Sequence, residues 1–149
     1  MLPHFCAIMW GTAARALKGY AFDPDVLRGT WVKVLLNQFH DILPGSSIGP
    51  VYVDSDRDYA HIRELGEAAR DGALDALAKT LPAGARALAA NPTSFGGTRI
   101  GLLPGELSGG LTGPDGKAVA TQRVAAGTLV GVPGLAPYSV VGLGAGSGS

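Results

Sequence analysis

Between residues 25 and 43, Leu27, Trp31, Leu35, Phe39 and Ile42 recur three or four positions apart, the period that lines one face of an α-helix. Asp23-Pro24-Asp25 supplies the start, with Asp23 as N-cap and Pro24 at the first helical position, where its missing N–H costs nothing. Pro44-Gly45 supplies the stop. A shorter helix is expected over residues 12–18, capped by Thr12 and ended by Gly19. After the Pro44-Gly45 break a second start signal runs over residues 47–50, and Ile62, Leu65, Ala69, Ala73 and Ala76 mark a long helix to about Leu81. Gly66 and Gly72 each cost that helix about 1 kcal/mol relative to alanine, so packing against the other helices must hold it. A small antiparallel three-helix bundle is the economical arrangement.

From Leu81-Pro82-Ala83-Gly84 onward the helical period disappears. Glycine and proline punctuate short runs over 86–90, 98–103, 117–125, 128–132 and 138–143, which read as strands. Pro114-Asp115-Gly116-Lys117 predicts a hairpin turn, because proline presets the first turn dihedral and glycine tolerates positive φ. The fold class expected is therefore α+β: the three-helix bundle followed by the first strands of a β-sandwich. The corresponding division is a leader over 1–11, a helical-bundle domain over 12–82, the start of a β-sandwich domain over 83–143, and a flexible Gly/Ser/Ala tail over 144–149.

Composition narrows the function. In 149 residues the formal net charge is zero, so no field recommends nucleic acid or an anionic membrane as partner. Cys6 is the only cysteine, which excludes an internal disulfide framework and points to a reducing, cytoplasmic setting. The opening ten residues lack the basic start and long apolar core of a signal peptide, and no run approaches a transmembrane span. Self-association into a homo-oligomer stays open.

The candidate chemistry lies at the end of the first striped helix, in Asn37-Gln38-Phe39-His40-Asp41-Ile42-Leu43-Pro44-Gly45-Ser46-Ser47. If the helix runs to residue 43, His40 lies off the apolar stripe and Asp41 projects about 100° further round, so the two side chains diverge and face something other than one core. The partial negative charge of a helix C-terminus, added to the Asp41 carboxylate, favours a cation beside a neutral imidazole. A lone histidine in a last turn is by default a capping cation, and a lone aspartate a solvated acid. Trp31 and Phe39 read as core anchors rather than sugar-stacking platforms. Ser46 and Ser47 read as turn residues, His61 as structural, and His4 sits in an unpatterned leader. Asp54, Asp56 and Asp58 lack the glycine and glutamate of a calcium loop and read as acids near a helix start.

The unbroken order Trp31-Val32-Lys33-Val34-Leu35-Leu36-Asn37-Gln38-Phe39-His40-Asp41-Ile42-Leu43-Pro44-Gly45-Ser46-Ser47, followed by Val51-Tyr52 and Tyr59, resembles the middle region of the family 38 α-mannosidases. Asn91-Pro92-Thr93-Ser94-Phe95 resembles the segment that opens the carboxy-terminal β region of the same enzymes. The resemblance implies that His40 ligates a catalytic divalent metal, usually zinc, and that Asp41 contacts the bound mannose. It also implies that the nucleophile, the acid/base carboxylate and the other metal ligands come from an amino-terminal α/β domain this sequence lacks, so no catalytic carboxylate is assigned here. A retaining glycosidase needs two carboxylates about 5 to 5.5 Å apart. The expectation is thus a fragment of a metal-dependent retaining α-mannosidase acting on a terminal α-mannoside, inactive alone. The alternative is a non-catalytic helical bundle with a β-module for protein interaction or carbohydrate binding.

Overall fold

A computed structural model describes residues 2–21 and 23–146, with side chains from Cys6 onward. The chain forms two compact units, Met1–Leu77 and Ala78–Ser149. The first contains helices α1 (Leu2–Lys18), α2 (Pro24–Leu36) and α3 (Gly49–Ala78). The second contains strands β1 (Ala87–Asn91), β2 (Gly97–Pro104), β3 (Gly110–Thr112), β4 (Ala118–Val124), β5 (Gly127–Leu135) and β6 (Ser139–Gly146). The α+β class expected from the sequence is present.

In the helical unit each helix buries one stripe. Cys6, Ala7, Trp10 and Ala14 do so on α1, Leu27, Thr30 and Val34 on α2, and Ser55, Ile62, Gly66, Ala73 and Leu77 on α3. The helix expected over 12–18 begins at Leu2 instead, because Cys6, Ala7 and Trp10 continue the Ala14 face backwards by one and two turns. It ends at Gly19 as expected, whose N–H bonds the Arg15 carbonyl at 2.9 Å. Asp23 is the N-cap of α2, accepting from the Asp25 N–H at 2.9 Å, and Pro24 opens the helix.

Two expectations for α2 fail. Of the stripe Leu27, Trp31, Leu35, Phe39 and Ile42, only Leu27 is buried; Trp31 is 44% exposed, Leu35 55% and Phe39 52%. The helix also stops at Leu36 rather than near Leu43. Both have a local cause. Residues 31–36 are apolar on every side of the helix except Lys33, so periodicity does not choose among faces, and the one chosen contains Thr30, whose hydroxyl is satisfied by the Leu27 carbonyl at 2.9 Å. Asn37 then caps the helix, and a turn region follows.

Gly72 explains a cost the sequence showed without its return. A Cβ there would come within 2.5 Å of the Tyr20 hydroxyl, so the glycine is the gap that lets Tyr20 lie against α3.

The β unit is one antiparallel sheet in the order β1-β6-β3-β4-β5-β2. The predicted turn joins β3 to β4: Gly113 N–H bonds the Lys117 carbonyl at 2.9 Å, and Lys117 N–H bonds Asp115 Oδ1 at 3.1 Å. On β5, Thr128, Val130 and Val132 are buried at the two-residue period of a strand with one covered face. Leu111, Val119, Val130, Val132, Leu135 and Leu143 form the core, backed by Ala87, Ala89, Leu103, Leu107 and Val141. The edge strands β1 and β2 line one cleft together with Val130, Val132 and Leu143, so the sheet curls toward a barrel without pairing its two edges. The strand β3, absent from the sequence reading, is held at Leu111 between Val119 of β4 and Ala145 of β6. Gly144 to Gly146, expected as tail, belong to β6, while residues 147–149 lie outside the described residues.

Candidate functional site

The turn that carries His40 and Asp41 starts from Asn37, which is 4% exposed. Its backbone N–H bonds the Lys33 carbonyl at 3.0 Å, and its side-chain amide donates to the same carbonyl at 2.9 Å and to Asp58 Oδ2 at 3.3 Å. Lys33 is paired with Asp58 Oδ1. The hydrogen bond from Lys33, with help from Asn37, holds the Asp58 carboxyl below the usual carboxylate range. Between Asn37 and Gly45 the chain advances by short turns, with Phe39 N–H to Leu36 O at 3.1 Å, Ile42 N–H to Phe39 O at 2.9 Å and Gly45 N–H to Ile42 O at 3.2 Å. Gly45 closes the region at φ +85°, a conformation that a side chain would strain.

Because residues 40 and 41 lie in a turn and not a helix, their side chains do not diverge. His40 Nε2 is 3.5 Å from Asp41 Oδ2, and the side chains are 76% and 55% exposed. The imidazole leans on the Phe39 ring, with centroids 4.2 Å apart and planes at 45°. Asp41 Oδ1 lies 3.4 Å from the Ser46 hydroxyl, which leaves Oδ2 directed toward the imidazole. The arrangement presents one nitrogen and one carboxylate oxygen side by side toward solvent.

That pair has the donor types zinc accepts from proteins. Among the described residues no three His, Cys, Asp or Glu side chains gather into a metal-holding group, so the pair would be part of a coordination shell rather than the whole. His61 is exposed on α3, and the His4 side chain lies outside the described residues. Asp54 pairs with Arg57 one turn on, and Asp58 with Lys33, so these two acids serve α3 and its neighbour. Ser47 donates its backbone N–H to the Tyr52 hydroxyl at 2.8 Å, while that hydroxyl donates to the Asp41 carbonyl at 3.4 Å. The sequence reading passed over Tyr52 and Asn37 as participants. An asparagine between an apolar run and a His-Asp pair was the available signal.

In the β unit, Asn91 is fully buried and saturated. Its amide donates to the carbonyls of Phe95 and Ala136 at 2.8 and 2.9 Å, and its Oδ1 accepts from Thr93 Oγ1 at 2.8 Å and Arg99 Nε at 3.2 Å. Every polar position of the side chain is spent on shaping its own loop, which makes this network structural.

Residues 6–77 match the family model described as the alpha mannosidase middle domain. The helical unit is similar to that domain. The match contains α2, the His40 turn and nearly all of α3. Among solved structures, an alpha-mannosidase from Enterococcus faecalis V583 is similar over 95% of this chain, with a TM-score of 0.72 and 16% identity. A protein of glycosyl hydrolase family 38, also from Enterococcus faecalis, is similar over 98% of this chain, with a TM-score of 0.62 and 15% identity. At that identity the likeness is one of fold, and it extends through the β unit. This chain spans 22% and 23% of those two proteins. A comparison with functionally curated proteins finds no match.

Proposed function

We propose that this chain is the middle domain and the opening β segment of a metal-dependent retaining α-mannosidase that hydrolyses terminal α-linked mannose. The observation that carries the reading is the exposed, convergent His40–Asp41 pair on a tied-down turn of the middle domain. In the whole enzyme the three helices would be the antiparallel bundle of that domain, and the curled sheet would belong to a larger β-sandwich. Trp31, Leu35, Leu36, Phe39, Leu43 and Ile48, which lie along the chain from α2 through the same turn, are largely exposed. An apolar surplus of that extent around a polar pair is what a domain interface looks like when one side is missing. It is the seat this reading gives to the domain bearing the nucleophile and the acid/base carboxylate. The free, buried Cys6 fits a cytoplasmic enzyme.

The roles that the family resemblance implies for the two side chains suit their chemistry. His40 would offer its Nε2 as one ligand to the metal, and the Phe39 ring restricts the orientations of the imidazole. Asp41 would accept hydrogen bonds from hydroxyls of the mannose ring. When bound, the metal supplies a Lewis acid that holds and polarises the sugar hydroxyls. The covalent and proton-transfer steps belong to carboxylates outside this chain.

The test uses the complete enzyme with an activated aryl α-mannoside. His40→Ala should lower zinc content and reduce kcat/KM by about 100-fold, with partial recovery at high added zinc. Asp41→Asn should keep zinc near normal and lose kcat/KM through weaker transition-state binding. Full zinc and full activity in His40→Ala would make His40 an exposed turn residue with no part in the metal site.

A further inference from the structure

The turn between α2 and α3 doubles back on itself, and few backbone bonds hold it. From Asn37 to Gly45 its own bonds are mostly of the short i to i+3 kind, which are poorer than helical ones. The limb that enters the turn passes through Asp41, and the limb that leaves it passes through Ser47. The Tyr52 hydroxyl, in the first turn of α3, touches both. It accepts from the Ser47 N–H at 2.8 Å and donates to the Asp41 carbonyl at 3.4 Å. The Ser46 hydroxyl reaches the same carbonyl at 3.4 Å. Upstream, Asn37 is tied to Asp58 two turns further along α3. The His40–Asp41 peptide is therefore suspended between two anchor points on one helix.

We propose that Tyr52 is a positioning residue for the His40–Asp41 pair: its hydroxyl, bonded to both limbs of the turn, sets the direction in which the two side chains leave the backbone. This rests on the reading of His40 and Asp41 given under Proposed function. A phenol suits the task. It is rigid, half-buried where its ring packs, and carries one donor and one acceptor at the tip, the two functions that a carbonyl on one limb and an N–H on the other require. Phenylalanine would keep the ring and lose both bonds. Among the described residues only the Ser46 hydroxyl shares that carbonyl with Tyr52, so without the phenol the backbone from which both side chains leave is free to shift.

The experiment has two arms. In the 149-residue chain without metal, Tyr52→Phe should speed hydrogen exchange of the Ser47 amide by about ten-fold or more and shift the His40 ring resonances, while the melting temperature changes little. In the complete enzyme, assayed with an aryl α-mannoside, the same substitution should lower kcat by about ten-fold and raise the zinc concentration needed for half-maximal activity by a similar factor. Ser46→Ala, which removes longer bonds to the same carbonyl and to Asp41 Oδ1 without touching α3, should produce the same changes in smaller measure. Tyr59→Phe, further along the helix, should produce neither. Unchanged Ser47 exchange in Tyr52→Phe overturns the proposal, as does unchanged activity in an enzyme that His40→Ala inactivates. If His40→Ala is itself harmless, the reading of the site fails, and this inference fails with it by a separate and visible route.

Discussion

The two units handle apolar residues in opposite ways. The β unit turns Leu111, Val119, Val130, Val132, Leu135 and Leu143 inward and leaves few large apolar side chains exposed, chiefly Phe95, Ile100, Leu102 and Tyr138. The helical unit buries small residues and a few large ones, and leaves Trp31, Val32, Leu35, Leu36, Phe39, Leu43, Ile48 and Val53 at the surface. The difference lies in what fixes a face. A strand has two sides, and on β5 burying Val130 already decides Val132. A helix has a continuum of faces, and on α2 a rotation of about 100° exchanges Trp31 for Thr30 as the buried residue. Where apolar residues surround a helix, pattern says that something covers it and not which side is covered by its own unit.

The sharpest test of that contrast substitutes one large side chain in each unit. Leu111→Ala, at 1% exposed in the β core, should cost about 2 to 5 kcal/mol and unfold that unit first. Trp31→Ala removes a larger side chain that is 44% exposed, and should cost only about 1 to 2 kcal/mol in the isolated chain. Thermal melts followed by circular dichroism rank them. A loss at Trp31 as large as that at Leu111 would mean that the predicted stripe is the core after all.

Gly72→Ala probes the helical unit from the other direction. On propensity alone the change should stabilise α3 by up to about 1 kcal/mol. The Tyr20 hydroxyl occupies the space, so the expected result is a loss of about 1 to 3 kcal/mol, partly relieved in the double variant with Tyr20→Phe. A higher melting temperature for Gly72→Ala alone would show that Tyr20 moves aside without cost.

What the sequence showed and what it hid divide along the same line. Asp23-Pro24 and Gly19 act on their own backbone, so the start of α2 and the end of α1 were legible. Pro114-Asp115-Gly116 was legible for the same reason. The end of α2 was not, because Asn37 stops the helix with help from Asp58, 21 residues away. That one displacement hid the site's geometry: continued helix puts His40 and Asp41 on different faces, while the turn sets them 3.5 Å apart. The short β3 was also hidden, since Gly110-Leu111-Thr112 has no alternation to read and is a strand only through its partners on both sides. Tyr52 was legible only as part of the resemblance, because the bonds of its hydroxyl to both limbs of the turn leave no mark in the sequence.

The smallest expected effect separates an ion pair that a turn depends on from one that decorates a surface. Asp58 bridges Lys33 and Asn37 at the root of the His40 turn, whereas Glu106 and Arg123 in the β unit form a pair with both side chains about three-quarters exposed. The Lys33 hydrogen bond depresses the folded-state pKa of Asp58 below its unfolded value, so the stability it contributes is fully present above about pH 4 and lost as pH falls through the depressed folded value. Asp58→Asn removes the titrating group, keeps an acceptor for Lys33 and sets an amide against the Asn37 amide. At neutral pH it should cost no more than about 1 kcal/mol, because Lys33 is itself 43% exposed and solvent screens the pair. The melting-temperature gap between wild type and Asp58→Asn should then narrow as pH falls below about 4, and high salt should narrow it at neutral pH. Glu106→Gln should show almost no gap at any pH. A gap for Asp58→Asn that stays constant down to pH values near 2 would mean that the carboxylate charge contributes nothing there and that the Asn37 contact alone roots the turn.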